Sequence, residues 1–153
     1  MAFEPKENLL YKFTTALDDD LVLDCSKDPK TANQCVLWNW NNAANQKFAI
    51  RSVGNNRFAF FCSSNNLTVE VPEGKENDGV QIHCSQPNKK ANEFWEFIPV
   101  TDDKYKGQAA YYIRSHCNKA LDVCEGKAKK GTSIIQWAYN GNKNQIWIVE
   151  PIW

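Results

Sequence analysis

An aspartate, a tryptophan and an asparagine recur at matched intervals in two stretches of the chain: Asp24, Trp38 and Asn45, then Asp122, Trp137 and Asn144. In each set the ring precedes the Asn by seven residues, and the acid precedes the ring by fourteen or fifteen. Together the three types make one chemistry. A carboxylate accepts hydroxyl protons in charge-assisted hydrogen bonds, an amide both donates and accepts, and an indole offers a flat face to C–H groups. A monosaccharide presents that mixture of hydroxyls and C–H surface. Taken singly, each residue reads more simply as structural. An Asp or Asn beside a turn usually bonds its own backbone, and a lone Trp on a strand is usually core. The joint recurrence carries the binding reading.

The elements that must position these residues also recur. Three segments end alike: Asn45-Gln46-Lys47-Phe48, Asn92-Glu93-Phe94-Trp95 and Asn144-Gln145-Ile146-Trp147. Their aromatics lie 47 and 52 residues apart, and the upstream acids Asp24, Glu70 and Asp122 lie 46 and 52 apart. A self-similar period of this length marks a repeat architecture. A β-prone run precedes each acid, at Tyr11–Thr14, Phe58–Phe61 and Tyr111–Arg114. The extra residues of the second interval fit a polar insertion at 101–108, expected as a surface loop. In the third repeat, Tyr111–Arg114, Ala120–Val123, Ser133–Trp137 and Ile146–Val149 are separated by turn-rich clusters. Nothing of twelve or more residues keeps a helical apolar period. Four short strands in each of three repeats predict about twelve strands in an all-β structure whose closure removes exposed edges. The tail aromatics Phe48, Trp95 and Trp147, each followed by apolar residues, are expected to fill its centre.

At 153 residues the chain is expected to be one domain, since cores rarely divide below about 250 residues. Repeats are drawn at about 9–53, 54–104 and 105–153. Eighteen basic residues balance eighteen acidic ones. That balance argues against nucleic acid as a partner and against a polybasic membrane anchor. No apolar run approaches the roughly 18 residues of a spanning helix, so membrane insertion is not expected. The start, Met1 to Asn8, is charged and lacks the apolar centre of a secretory signal. A cytoplasmic location is therefore expected, with secretion by another route left open. The six cysteines, Cys25, Cys35, Cys62, Cys84, Cys117 and Cys124, then read as reduced thiols acting as small core hydrophobes, and no bridge is predicted. Asp18-Asp19-Asp20 reads as a solvated turn.

The triple repeat with its Gln-x-aromatic tails resembles the ricin B-chain-like β-trefoil lectins, from about Leu9 to Trp153. The strongest stretch runs from Ala120-Leu121-Asp122-Val123 to Ile134-Ile135-Gln136-Trp137 and on to Asn144-Gln145-Ile146-Trp147. The resemblance implies a β-trefoil with three four-stranded repeats about a pseudo-threefold axis, and shallow sites for terminal galactose or N-acetylgalactosamine. Position by position, it makes Asp24 and Asp122 the acids that grip the sugar, and Trp38 and Trp137 the stacking rings. Asn45 and Asn144 become the sugar-binding amides, Gln46 and Gln145 the residues that steady the acid, and Asn140 a loop contact. The middle repeat departs, offering Glu70, His83 at the aromatic position, Asn92, and Glu93 in place of Gln. Two neighbouring acids would repel, so this third site is expected to be weak or silent.

The implied partners are glycans or glycoconjugates, without cofactor or metal, and a homodimer is left open. An enzyme is not expected. His83 and His116 each adjoin a cysteine, but neighbouring strand residues point to opposite faces, and no nucleophile, phosphate-loop or zinc-protease motif is present. A protein-binding trefoil such as a protease inhibitor is the alternative, since one fold hosts many functions. Such an inhibitor has no need of the repeated Asp, ring and Asn.

Overall fold

The computed structural model describes residues 3–153. Twelve strands follow one another in three sets of four. The first set is β1 (Leu10–Thr15), β2 (Leu21–Cys25), β3 (Cys35–Asn39) and β4 (Phe48–Gly54). The second is β5 (Arg57–Cys62), β6 (Thr68–Glu70), β7 (His83–Ser85) and β8 (Glu96–Pro99). The third is β9 (Ala110–Arg114), β10 (Ala120–Val123), β11 (Ile134–Trp137) and β12 (Trp147–Ile152). The first and fourth strands of each set form a barrel, and every pairing is antiparallel. Between sets, β4 pairs with β5, β8 with β9, and β12 with β1. Within sets, closure falls on three equivalent aromatic pairs: Tyr11 opposite Phe48, Phe58 opposite Trp95, and Tyr111 opposite Trp147. The expected all-β trefoil is present.

The tail aromatics owe their recurrence to that closure. Phe48, Trp95 and Trp147 are fully buried in one continuous core. Both tryptophans also satisfy their indole N–H. Trp95 Nε1 donates to the Val69 carbonyl (2.9 Å) and Trp147 Nε1 to the Leu121 carbonyl (3.0 Å). Those carbonyls belong to the residues just before Glu70 and Asp122. The core ring of each of these two repeats is thereby tied to the strand that carries its acid.

The middle strands form three hairpins, β2–β3, β6–β7 and β10–β11, that cap the barrel. They interlock through backbone bonds from Cys35 N to Ile82 O, Ile82 N to Ile134 O, and Leu37 N to Thr132 O, each 2.9 Å. The Gln81 side-chain amide joins them by donating to the carbonyls of Cys35 (2.8 Å) and Ile134 (2.9 Å). At the opposite end Phe3 packs on Tyr11, Phe58 and Tyr111, the first-strand aromatic of all three repeats. Pro151 and Ile152 continue β12 against β1, while Trp153 is 85% exposed.

The insertion at 101–108 is a surface loop, but it is pinned. Asp102 caps a 3-10 turn at Asp103–Tyr105 by accepting the Lys104 N–H, and Tyr105 is buried beside Ala110 and Ile146. Asp18 accepts the Asp20 N–H, and Asp19 and Asp20 face solvent. Cys25, Cys35, Cys62 and Cys84 lie in the core, with Cys35 Sγ 3.8 Å from Cys84 Sγ. No helix among the described residues is long and apolar enough to cross a membrane.

The indole bond and the ring volume are separable. Trp147→Phe keeps an aromatic where the first repeat has Phe48, and is expected to cost about 1–3 kcal/mol for the lost donor. Trp147→Ala empties the site and is expected to cost about 3–5 kcal/mol. Urea unfolding measures both, and a Trp147→Phe variant as stable as the parent would remove the assigned role of the Leu121 contact.

Candidate functional site

Asp24 and Asp122 occupy equivalent places on the second strand of their repeats, opposite Val36 and Ile135. Only 5% of Asp24 and 3% of Asp122 is exposed. A carboxylate removed from water this far needs donors, and the Asn-Gln pair before each core aromatic supplies them. Asn45 Nδ2 donates to Asp24 Oδ1 (3.0 Å) and Gln46 Nε2 to Asp24 Oδ2 (2.9 Å). In the third repeat Asn144 reaches Asp122 Oδ1 at 3.2 Å and Gln145 reaches Oδ2 at 2.9 Å. Each pair sits on a 3-10 turn, Ala44–Gln46 or Lys143–Gln145, leading into the fourth strand. Burial of the ring two residues after the Gln therefore sets where the amides point.

The two Gln side chains also hold the connecting loop. Gln46 donates to the Asn39 carbonyl and accepts the Asn41 N–H, both at 2.9 Å. Gln145 repeats this with the Ala138 carbonyl (3.0 Å) and the Asn140 N–H (2.9 Å). Asn140 closes a local turn, its side-chain oxygen accepting the Asn142 N–H. Each acid oxygen thus has one protein donor and a second lone pair free. Burial pushes the carboxyl pKa of both acids up, and the Gln and Asn donors oppose it. Lys27 pulls Asp24 back down, whereas Asp78 pushes Asp122 further up.

Four of the six tryptophans divide by environment, and the division decides their roles. Trp95 and Trp147 are wholly buried, whereas Trp38 is 39% and Trp137 is 43% exposed on the side of the sheet that bears the acids. Asp122, Trp137, Asn140 and Asn144 line one cavity of about 330 Å³, together with Gly79 and Glu125.

Each platform is bordered by a hairpin from another repeat, which spacing within one repeat does not reveal. A Cβ at Gly79 would lie 3.7 Å from the Trp137 ring, and one at Gly131 would lie 3.9 Å from Trp38. Both glycines have φ near +90°, a left-handed backbone that other residues adopt only under strain. Lys130, beside Gly131, places Nζ 5.4 Å over the Trp38 ring. Nothing in the local sequence around either glycine links it to a partner repeat.

The middle repeat requires a correction. His83 does not hold the aromatic position. It stands opposite Glu70, where Val36 and Ile135 stand opposite the other two acids. The place of Trp38, opposite Val22, and of Trp137, opposite Ala120, is taken by Ser85, opposite Thr68. The fifteen-residue interval of the third repeat lands on Ser85 when counted from Glu70. A serine carries no ring, so residue type gives no sign of the position. Burial pushes the His83 pKa down, with Glu70 opposing.

The two acids of this repeat do not need to face each other. Asn92 Nδ2 donates to Glu70 at 2.6 Å. Glu93 instead accepts the Thr68 hydroxyl (2.8 Å) and the backbone N–H groups of Asn88 (3.1 Å) and Lys89 (2.7 Å). Thr68 stands where the other repeats have apolar Val22 and Ala120, and so supplies the donor that a Gln-to-Glu exchange demands. This repeat keeps the scaffold of the amide turn without the platform.

The chain matches the family model of the ricin-type β-trefoil lectin domain-like proteins over residues 3–85 and 54–137, and it belongs to that family. It is 25% identical over 151 residues to the main hemagglutinin component type C of a Clostridium botulinum C phage, covering 98% of this chain and 50% of that protein. The chain thus spans about half the length of the curated relatives it matches. An exo-β-1,3-galactanase from Clostridium thermocellum superposes with a TM-score of 0.83 at 25% identity, covering 97% of this chain and 31% of that one. The Macrolepiota procera ricin B-like lectin, solved in complex with lactose, gives a TM-score of 0.78 at 18% identity, covering 97% of this chain and 99% of the other.

Gln145→Leu removes one of the two donors from a buried carboxylate and frees the loop at Asn140. A loss of about 1–3 kcal/mol in unfolding free energy is expected. The Asp122 carboxyl should also titrate at higher pH than in the parent, as followed by carboxyl carbon resonances. Because burial already raises this pKa above its unfolded value, the group favours folding most below the unfolded carboxylate range. That contribution is lost as pH rises through the native value, so the variant should lose more stability at neutral than at acid pH.

Proposed function

We propose that this chain binds carbohydrate without acting on it, through a terminal galactose or N-acetylgalactosamine held at the first and third repeats. The observation that carries the reading is the union of Asp122, Trp137, Asn140 and Asn144 around one open cavity, with the acid already steadied by Gln145. Two vicinal sugar hydroxyls would donate, one to a free lone pair of Asp122 and one to the Asn144 side-chain oxygen, since the Asn144 Nδ2 protons already go to Asp122 Oδ1 and the Val123 carbonyl. The C–H face of the ring would lie on Trp137, burying apolar surface against a flat partner. Asp24, Trp38, Asn45 and Gln46 repeat the same chemistry in the first repeat. The family membership and the hemagglutinin likeness support the same reading.

In the middle repeat Glu70, His83 and Asn92 lack a stacking ring, and the reading assigns it little or no binding. The acids are distributed one to a repeat, which suits separate grips better than a concerted acid–base pair. A shallow one-sugar site binds in the millimolar range, roughly −4 kcal/mol. Two such sites on one chain gain avidity where a glycan cluster lets both engage. Glycans and glycoconjugates are therefore the proposed partners.

Asp24→Ala and Asp122→Ala should each abolish one site, and the double variant should lose glycan-array binding. A double variant that binds as the parent does would overturn the assignment. In the third repeat, Trp137→Ala is expected to weaken binding by about tenfold, and Trp137→Tyr by less, because a smaller ring keeps a stacking face. Equal losses by calorimetry would instead assign the indole a packing role.

A further inference from the structure

Beyond the acid, the sheet carries the third-repeat site onward. Trp137 stands opposite Ala120, Ala120 opposite Arg114, and Arg114 opposite Glu96. Directly opposed residues of antiparallel strands project to the same face, so the exposed indole and the Arg114 guanidinium lie along one cross-strand row. The residue between them is Ala120, whose methyl group leaves a trough where the equivalent Val22 is larger. A groove of about 750 Å³ opens there, lined by Tyr112, Arg114, Asn118, Lys119, Ala120 and Tyr139.

We infer that this groove is the subsite for the second and third sugar units of an oligosaccharide whose terminal sugar sits on Trp137. The inference rests on the lectin reading and extends it from a monosaccharide grip to an oligosaccharide one. Three observations point the same way. Tyr139 immediately precedes Asn140, which lines the terminal-sugar cavity, so one short connection borders both spaces. Tyr139 is 62% exposed and is held edge-on against Tyr112 with ring centroids 4.9 Å apart, a supported aromatic face of the kind that stacks on sugar C–H groups.

The third observation is polar. Arg114 is anchored on one side by Glu96 (Nη2 to Oε2, 3.1 Å), yet 41% of its side chain stays exposed beside the groove. A guanidinium carries five N–H donors, so the anchored group keeps exposed donors that a ligand oxygen can meet. Lys119 is already engaged. Its ammonium pairs with Asp78 Oδ1 at 2.9 Å, and the same oxygen accepts the Ala138 N–H at 2.9 Å. That bridge joins the hairpin carrying Gly79 to the end of β11, and so holds the boundary between cavity and groove. The occupant that fits is neutral and hydroxyl-rich, with one oxygen toward Arg114 and one face on Tyr139.

The test compares galactose, lactose and a galactose-terminated tetrasaccharide on the full chain, each titration followed at the Trp137 indole N–H resonance. A second ring contact corresponds to a gain of up to about tenfold. The tetrasaccharide is therefore expected to bind about tenfold more tightly than galactose. That ratio should fall toward one in Tyr139→Ser, and fall in part in Arg114→Gln. Galactose binding at Trp137 with a ratio near one in the parent overturns the groove and leaves the lectin reading intact. A ratio that survives in both variants overturns it equally. Failure of all three sugars to move the Trp137 resonance overturns the galactose reading itself, and the groove with it.

Discussion

A carboxylate taken out of water is unfavourable by several kcal/mol unless hydrogen bonds replace its hydration. Asp24 and Asp122 meet that constraint through two side-chain amides apiece, and the rest of the molecule is arranged to deliver those amides. The delivery is short in sequence. Asn and Gln occupy a 3-10 turn, and the aromatic two residues beyond the Gln is locked into the barrel centre. A fully buried core aromatic of each of these repeats and the polar contact of its candidate site are therefore neighbours on the chain. In the third repeat the link is made twice, since the Trp147 indole also bonds the carbonyl of the residue before Asp122.

Pseudo-threefold symmetry explains both what is repeated and what is free to change. Barrel closure requires an aromatic pair in each repeat, and all three supply one. The cap requires hairpins that interlock, and all three do so. Nothing in those demands requires an exposed indole. Trp38 and Trp137 stand where the middle repeat has Ser85. Two large half-exposed rings add nothing to the core, so their presence calls for a ligand more than for stability. The exchange of Gln for Glu93, compensated by Thr68, keeps the middle turn intact without the rest of the grip.

Much of this was legible in the chain because the repeats align by simple counting. Spacing alone separated Phe48, Trp95 and Trp147 from Trp38 and Trp137, and burial divides them in the same way. The acid and amide sets were also legible, since Asp, Asn and Gln keep their offsets. Features that depend on contacts between repeats were not. Gly79 and Gly131 carry no sign of the indole each borders, and Phe3 carries no sign that it packs on all three repeats. His83 lies off the platform position because strand register, not chemical type, decides which residue stands there. Strand pairing is a long-range fact, and one pair of opposed residues, Glu70 and His83, settles it.

The proposal that Asp122 and Trp137 form one water-facing grip is tested most directly by a crystal soaked in galactose and refined with the ligand free. The account predicts a sugar whose C–H face covers the Trp137 indole, with two hydroxyl oxygens within about 2.5–3.0 Å of the Asp122 and Asn144 side-chain oxygens. Sugar bound elsewhere on the molecule, with the Trp137 ring bare at saturating ligand, would contradict it.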